Sequence, residues 1–270
     1  MCGRFTLTIP SYEELAETLG VSVSPELKAS YKPRYNIAPT DPSWVLRMNH
    51  GVRELVGATW GLIPHWAKSA EGRAKAINAR AEGIEEAPKF RDSFARKRCV
   101  VIADGFFEWV TENGMRKPLW FTPAEGRLLF MAGVQASWLD PKTNERMRTF
   151  SVVTCPANDF IRPVHDRMPV VLAEKDLVTW METPPSGGVT SAVRDLMHPA
   201  PIGFLRATRV SSRVNSVKND DPSCILPGDD AEAPPAKPKA ASRKKAEPKS
   251  LSLFDEPSTK GAQHAAQKRH

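Results

Sequence analysis

Four residues of this 270-residue sequence have side chains that do chemistry in combination, yet they lie far apart: Cys2, Asn36, Glu108 and His165. Cys2 directly follows the initiator in MCGRF. It is small enough for an aminopeptidase to remove Met1, and the new terminus then carries an α-amine and a thiol on adjacent carbons. Such an amine titrates at about 7.7–8.0 and a free thiol at about 8.5, so each has a reactive fraction near neutral pH. Two chemistries open from that pair. The thiol can act as an N-terminal nucleophile with its own amine as base. Alternatively, the amine condenses with an aldehyde to an imine, and the thiolate closes a five-membered thiazolidine. Taken alone, Cys2 reads equally as a chance second residue.

Asn36 lies in YNIAPT between aromatic and apolar residues. A buried amide needs partners. Beside a reactive centre it would bind an oxyanion or position an amine; otherwise it serves a turn before Pro39. Glu108 lies in DGFFEW among Phe106, Phe107 and Trp109. Strand alternation puts it on the face of Phe106, where desolvation would raise its pKa toward values useful for proton transfer. The other reading turns it to solvent on an edge strand. His165 lies in RPVHDRMP with Arg167, between Pro163 and Pro169, which favours an extended loop over a helix. Its imidazole suits proton shuttling near pH 7, and Asp166 would orient it only after a local turn. A lone histidine reads equally as structural.

The elements that must position these residues are legible in outline. SYEELAETLG predicts a short helix in which Ser11 and Glu14 form a capping box, Leu15 and Leu19 share a face, and Gly20 ends it. Strands are expected at 44–48, 55–60, 99–103, 106–110, 128–138, 150–155 and 204–210, and helices around 81–97, 174–181 and 190–197. Strands that follow one another over short connections, with helices between some, predict an α+β fold. Its core would be a mixed, largely antiparallel sheet or open barrel with flanking helices. Apolar residues make up 41% of the chain and include seven tryptophans, enough for one large domain over 2–227. From 228 to 270 the chain is rich in Pro, Ala and Lys, a composition that predicts a disordered basic tail.

Other classes are set aside. No run of eighteen apolar residues and no signal-peptide pattern occurs, so a cytoplasmic protein without a membrane partner is expected. Cys2, Cys99, Cys155 and Cys224 are too dispersed for a zinc site or a disulfide scaffold. No GxGxxG or P-loop occurs, so no cofactor is expected. The net charge of +7 favours a polyanion, nucleic acid foremost. Arg4, Arg80, Arg167, Arg213 and Lys218 sit among turn-formers as candidate phosphate contacts, the competing reading being solvated charges. Trp60 and Trp66 of WGLIPHW offer stacking surfaces for unpaired bases, with a core role the competing reading, above all for Trp60.

Together MCGRF, YNIAP, WGLIPHW, INARAE, DGFFEW and HDRMP, in that order over residues 2–227, resemble the SRAP (SOS response-associated peptidase) family. The segment VSSRVNSVKNDDPSC resembles the family's final stretch. The resemblance implies a DNA-damage protein that shields abasic sites in single-stranded DNA. Cys2 would attack the ring-opened aldehyde and close a thiazolidine, leaving a covalent DNA–protein crosslink. It implies proton transfer by Glu108 and a part for it in releasing Met1. His165 would open the sugar or, in reverse, protonate the leaving thiol, and a lyase-type strand cleavage is a separate activity the resemblance leaves open. Asn36 would hold the α-amine and the sugar oxygen. Arg4, Arg80 and Arg167 would grip phosphates, Trp66 and Pro39 would pack on a base or sugar, and Asn78, Thr154 and Ser212 would complete the DNA contacts. A monomer is expected.

Two further readings compete. One is a cysteine peptidase with Cys2 as N-terminal nucleophile, Glu108 and His165 as acid–base partners, and self-removal of Met1 as its expected cleavage. The other is a DNA-binding scaffold whose binding is reversible and salt-sensitive. In the tail, SLSLF (250–254) resembles the peptide that bacterial proteins insert into the replication sliding clamp, with Leu251, Leu253 and Phe254 as anchors. An incidental apolar cluster is the alternative there.

Overall fold

The computed structural model describes residues 2–184 and 186–228. The tail after Gly228, with Leu251, Leu253 and Phe254, lies outside the described residues. The chain runs through β1 (Phe5–Leu7), α1 (Tyr12–Leu19), α2 (Pro25–Ser30) and β2 (Arg34–Ile37) into the long hairpin β3 (Pro42–Asn49) and β4 (Val52–Trp60). A short β5 (Asn78–Arg80) and α3 (Arg91–Arg96) precede β6 (Arg98–Ala103), β7 (Gly105–Glu112) and β8 (Met115–Pro123). Then come β9 (Leu129–Leu139), β10 (Arg146–Pro156) and β11 (Arg167–Pro169). The last elements are α4 (Leu177–Met181), α5 (Ser191–Asp195) and β12 (Leu205–Arg209), followed by 3₁₀ turns at Ser212–Asn215 and Pro222–Cys224.

Two sheets result. One is antiparallel throughout, in the order β12-β8-β7-β1-β2. In the other, β10-β4-β3-β6-β9 closes on itself because β9 pairs back with β10, giving a five-stranded barrel. Short β5 and β11 extend it beside the last residues of β10. Among the described residues pairing is parallel only where β10 meets β4 and β5. This is the α+β, largely antiparallel barrel that the order of elements predicts.

Local chemistry explains both the agreements and the departures. In α1 the Ser11 hydroxyl accepts the Glu14 N–H at 3.2 Å, and Gly20 takes a φ of 61°, which ends the helix in the left-handed region. Only half the capping box forms, because the Glu14 carboxylate pairs with Arg127 instead. The helix expected over 81–97 shrinks to Arg91–Arg96. Gly83 stands at a φ of 76° and Pro88 cannot donate, so residues before Arg91 form turns. Strand β8 escapes a reading by strand propensity because Arg116, Lys117 and Pro118 mask it. Its turn is nevertheless a strong hairpin signal: Asn113 and Gly114 both take positive φ, 50° and 77°.

Strand β7 is enclosed on both faces where it carries the site. Phe106 stacks on Phe121 with ring centroids 5.2 Å apart, while Phe107 packs with Trp109 and Trp120 in a smaller cluster with Val210, Val214 and Cys224. Full burial of one such ring contributes about 2–3 kcal/mol. Gly105 lies where Trp120 crosses β7, and a Cβ there would stand 2.3 Å from the indole nitrogen. Among the described residues no helix is long and apolar enough to cross a membrane.

Candidate active site

The first residues are pinned before β1 begins. The Arg4 carbonyl accepts the Phe107 N–H at 2.9 Å, and β1 pairs onward with Phe106 and Gly105. From the other side, Asn78 of β5 donates its side-chain amide to the Cys2 carbonyl at 2.9 Å. Cys2 is thereby fully buried, with Sγ 3.9 Å from the Arg4 carbonyl. Burial, and next the charge of Glu108, push the thiol far above its ordinary range. Glu108 is itself only 5% exposed, which removes the solvent-facing reading. Burial raises its carboxyl, while the neighbouring amino terminus and His165 act in the opposite direction. Glu108 therefore acts electrostatically on Cys2, and His165 on Glu108, although the three lie far apart in the sequence.

His165 closes a tight turn, its N–H bonded to the Ile161 carbonyl at 3.0 Å. The extended segment expected between Pro163 and Pro169 begins only with β11. The turn supplies what an orienting Asp166 requires. Nδ1 accepts the Arg167 N–H at 2.9 Å, which leaves the proton of the neutral ring on Nε2. Protonation of Nδ1 would exchange that bond for one to the Asp166 carboxylate, 2.9 Å away.

Asn36 is also fully buried, but its amide is spent on the fold. Its oxygen accepts from Arg4 at 2.8 Å, and its nitrogen reaches the carbonyls of Asn219 at 2.7 Å, Ser216 at 3.0 Å and Val214 at 3.3 Å. Arg4 adds a bond to the Val214 carbonyl at 2.8 Å. Asp220 accepts the N–H groups of Tyr35 and Asn36 at 2.6 and 2.9 Å, so the outer edge of β2 is covered by the 214–220 segment. Asn36→Ala is expected to lower stability by about 2–3 kcal/mol, since Arg4 and three carbonyls lose a partner. Asn36→Asp should cost more, because a carboxylate would face those carbonyls. Urea denaturation measures both, and unchanged midpoints would show that Asn36 holds nothing in the free protein.

The expected DNA contacts divide into groups. Asn78, Arg80, Thr154 and Arg167 come together where β5, β10 and β11 meet, with Thr154 opposite Arg80 in the parallel register. Arg80 is exposed. Arg167 is bidentate to Glu82 at 2.8 and 3.1 Å and donates to the Thr154 hydroxyl and carbonyl at 3.3 and 2.6 Å. Thr154 is fully buried and serves as a support for that guanidinium. Pro39 lines a cavity of about 270 Å³ with Gly3, Arg4, Trp109, Arg116 and Asn215. Trp66 is 56% exposed, whereas Trp60 is core, its indole bonded to the Ile77 carbonyl. Ser212 lines a different, smaller cavity beside Lys117 and Pro118.

Sequence reasoning passed over Trp109 and Arg116 as site residues. The Arg4 and Arg116 guanidinium groups stand 5.6 and 4.9 Å from the centroid of the Trp109 ring, and Trp109 donates to Asn215 Oδ1 at 2.6 Å. Its place two residues after Phe107 was a usable signal; Arg116 was hidden with β8. Cys99, Cys155 and Cys224 are buried and free. Among the described residues no group of three or more His, Cys, Asp or Glu side chains is placed to hold a metal.

The chain is similar to the abasic site processing protein YoqW of Bacillus subtilis strain 168, 35% identical over 228 residues that cover 83% of this chain and 99% of that protein. It is 32% identical over 232 residues to the abasic site processing protein HMCES of Gallus gallus, covering 73% of this chain and 67% of that one. With the abasic site processing protein YedK of Escherichia coli K12 the identity is 28% over 234 residues, covering 84% and 100%. A crystal structure of a Bacteroides thetaiotaomicron protein has the same fold, with a TM-score of 0.74 over 84% of this chain and 99% of its own, at 24% identity. The model of the SOS response associated peptidase (SRAP) family matches residues 1–217, and the chain belongs to that family.

Proposed function

We propose that this protein traps abasic sites in single-stranded DNA by a covalent bond to Cys2. The abasic sugar opens to an aldehyde. The Cys2 α-amine, free once Met1 is gone, adds to that carbon and loses water to give an imine. The thiol then adds across the C=N bond, its sulfur to carbon and its proton to nitrogen, and a thiazolidine closes. The net change is the loss of one water. Glu108 supplies the proton that carries off the hydroxyl as water, and His165 assists opening of the sugar. Arg80, Ser212 and Arg167 hold phosphates, Arg167 by exchanging Glu82 for the strand. Trp66 and Pro39 meet a base or the sugar, and Asn78 keeps the Cys2 carbonyl fixed. Asn36 and Arg4 act by holding the 214–220 segment and the Trp109 ring in place.

The observation that carries this reading is the gathering of fully buried Cys2, a desolvated Glu108 and His165, with Cys2 held by the strand that also carries exposed Arg80. The names of the relatives point to the same substrate. The test is to incubate protein lacking Met1 with single-stranded oligonucleotides, one abasic and one intact. A heat-stable band on a denaturing gel is expected with the abasic strand alone, and its mass should equal protein plus DNA minus one water. Salt-reversible binding with no such band would favour the scaffold reading and end this one. The peptidase description fits one step of the same proposal: Glu108, desolvated beside Cys2, would assist release of Met1.

A further inference from the structure

A larger cavity, of about 790 Å³, opens at the opposite end of the barrel. Strand β10 shows the separation: Thr154 belongs to the DNA-facing cluster, and Arg148, six residues earlier, lines the larger cavity. At about 3.3 Å per residue that is roughly 20 Å along the strand. The walls come from the β3–β4 turn, the start of β6, Gln135–Ser137 of β9 and the segment after α4.

The cavity is lined by Arg47, Arg96, Lys97, Arg98 and Arg148 against a single carboxylate, Glu182. Arg47 has its own partner in Glu54. Arg98 is different. It is 1% exposed, and its guanidinium is bonded to main-chain carbonyls: Phe94 and Trp180 at 2.6 Å, with Glu182 a third. Those bonds tie α3, α4 and the chain after α4 into one rigid wall. They satisfy the donors, but they bring no negative charge. Arg148 meets the Gly57 carbonyl at only 3.4 Å. Burial, and next the neighbouring charge of Arg47, pull its pKa down against the smaller opposing effect of Glu54, so cations are held against one another here. A bound anion would relieve that repulsion.

We propose that this cavity is a second anion site, distinct from the Cys2 site, that takes a phosphate group. Guanidinium forks match phosphate oxygens two at a time, and the volume lies in the range of small-ligand sites, larger than one phosphate needs. The phosphate belongs either to a free phosphorylated compound or to a stretch of the DNA strand running away from Cys2.

Calorimetric titration of the full chain with inorganic pyrophosphate tests the site. Saturable binding is expected, weakened about tenfold or more in Arg148→Ala and in Lys97→Ala, since each removes a charge-assisted bond. Crosslinking of a short abasic oligonucleotide should be unchanged in both variants. A twenty-nucleotide intact strand then separates the sources: competition with pyrophosphate assigns the cavity to DNA phosphate, and independent binding assigns it to a free compound. Absence of saturable binding at millimolar pyrophosphate would overturn the proposal. So would loss of binding in Arg80→Ala with full binding in Arg148→Ala, because the anion would then sit in the DNA-facing cluster.

Discussion

Cys2→Ala is expected to abolish the heat-stable product with abasic DNA while leaving reversible binding of the strand intact. The two functional groups of Cys2 separate cleanly in this variant, because it keeps the α-amine and loses only the sulfur. The amine still condenses with the aldehyde, but the imine has no thiol to close it and water reverses it. Borohydride should therefore recover a covalent adduct from the variant, whereas wild type needs no reductant. The order amine first, thiol second also follows from the site. In the chain as it stands the thiol is fully buried and its pKa is driven up by burial and by Glu108. Such a thiol is a poor first nucleophile. Once the iminium forms, its positive charge lies two bonds from Cβ, favours the thiolate, and the ring closes. A variant that still gave the unreduced product would place the attacking group elsewhere. A variant that gave no adduct even with borohydride would show that the amine is not the first attacker.

How much of this was legible depends on whether a residue's role is local. Cys2 and Glu108 were readable as candidates because their chemistry is written beside them: a second-position thiol, and a carboxyl among three aromatic rings. Strand alternation placed Glu108 on the face of Phe106, and enclosure of β7 by β8 and the 210–224 segment decided between burial and exposure. That enclosure is not local, since it needs partners about ten and a hundred residues away. Asn36 shows the same limit. Its need for partners was evident, but the partners are Arg4 and three carbonyls near residue 216, so the amide builds the wall of the site. Arg167 was expected to face a phosphate, and the free protein pairs it with Glu82, a neighbour only because β5 runs parallel to β10. The hairpin at Asn113-Gly114 is the opposite case. Its signal was local and sufficient, and following it would have delivered β8 and, with it, Arg116 beside Trp109.

Glu108→Gln should slow crosslink formation by about a hundred- to ten-thousand-fold, the usual range for loss of a positioned proton donor or acceptor. The substitution keeps the shape of the side chain and its hydrogen-bonding ends, so the fold and strand binding should survive. What it removes is the ionisable proton that can be passed to the hydroxyl, and the pH profile makes that visible. Burial raises the Glu108 carboxyl, although the amino terminus and His165 act in the opposite direction. A raised pKa keeps the acid form present to higher pH than an exposed glutamate would allow. The reaction needs that acid together with a free amine, and the amine fraction grows with pH up to about 8. With both groups in play the wild-type rate rises at low pH, levels off once Glu108 begins to ionise, and falls above the amine pKa as protonated Glu108 runs out. In Glu108→Gln only the amine titrates, so the slower rate should climb to about pH 8 and stay there. Single-turnover crosslinking from pH 5 to 9, read on denaturing gels, distinguishes the two shapes. An alkaline fall that persisted in the variant would assign the essential acid to another group, and His165 would be the first to substitute.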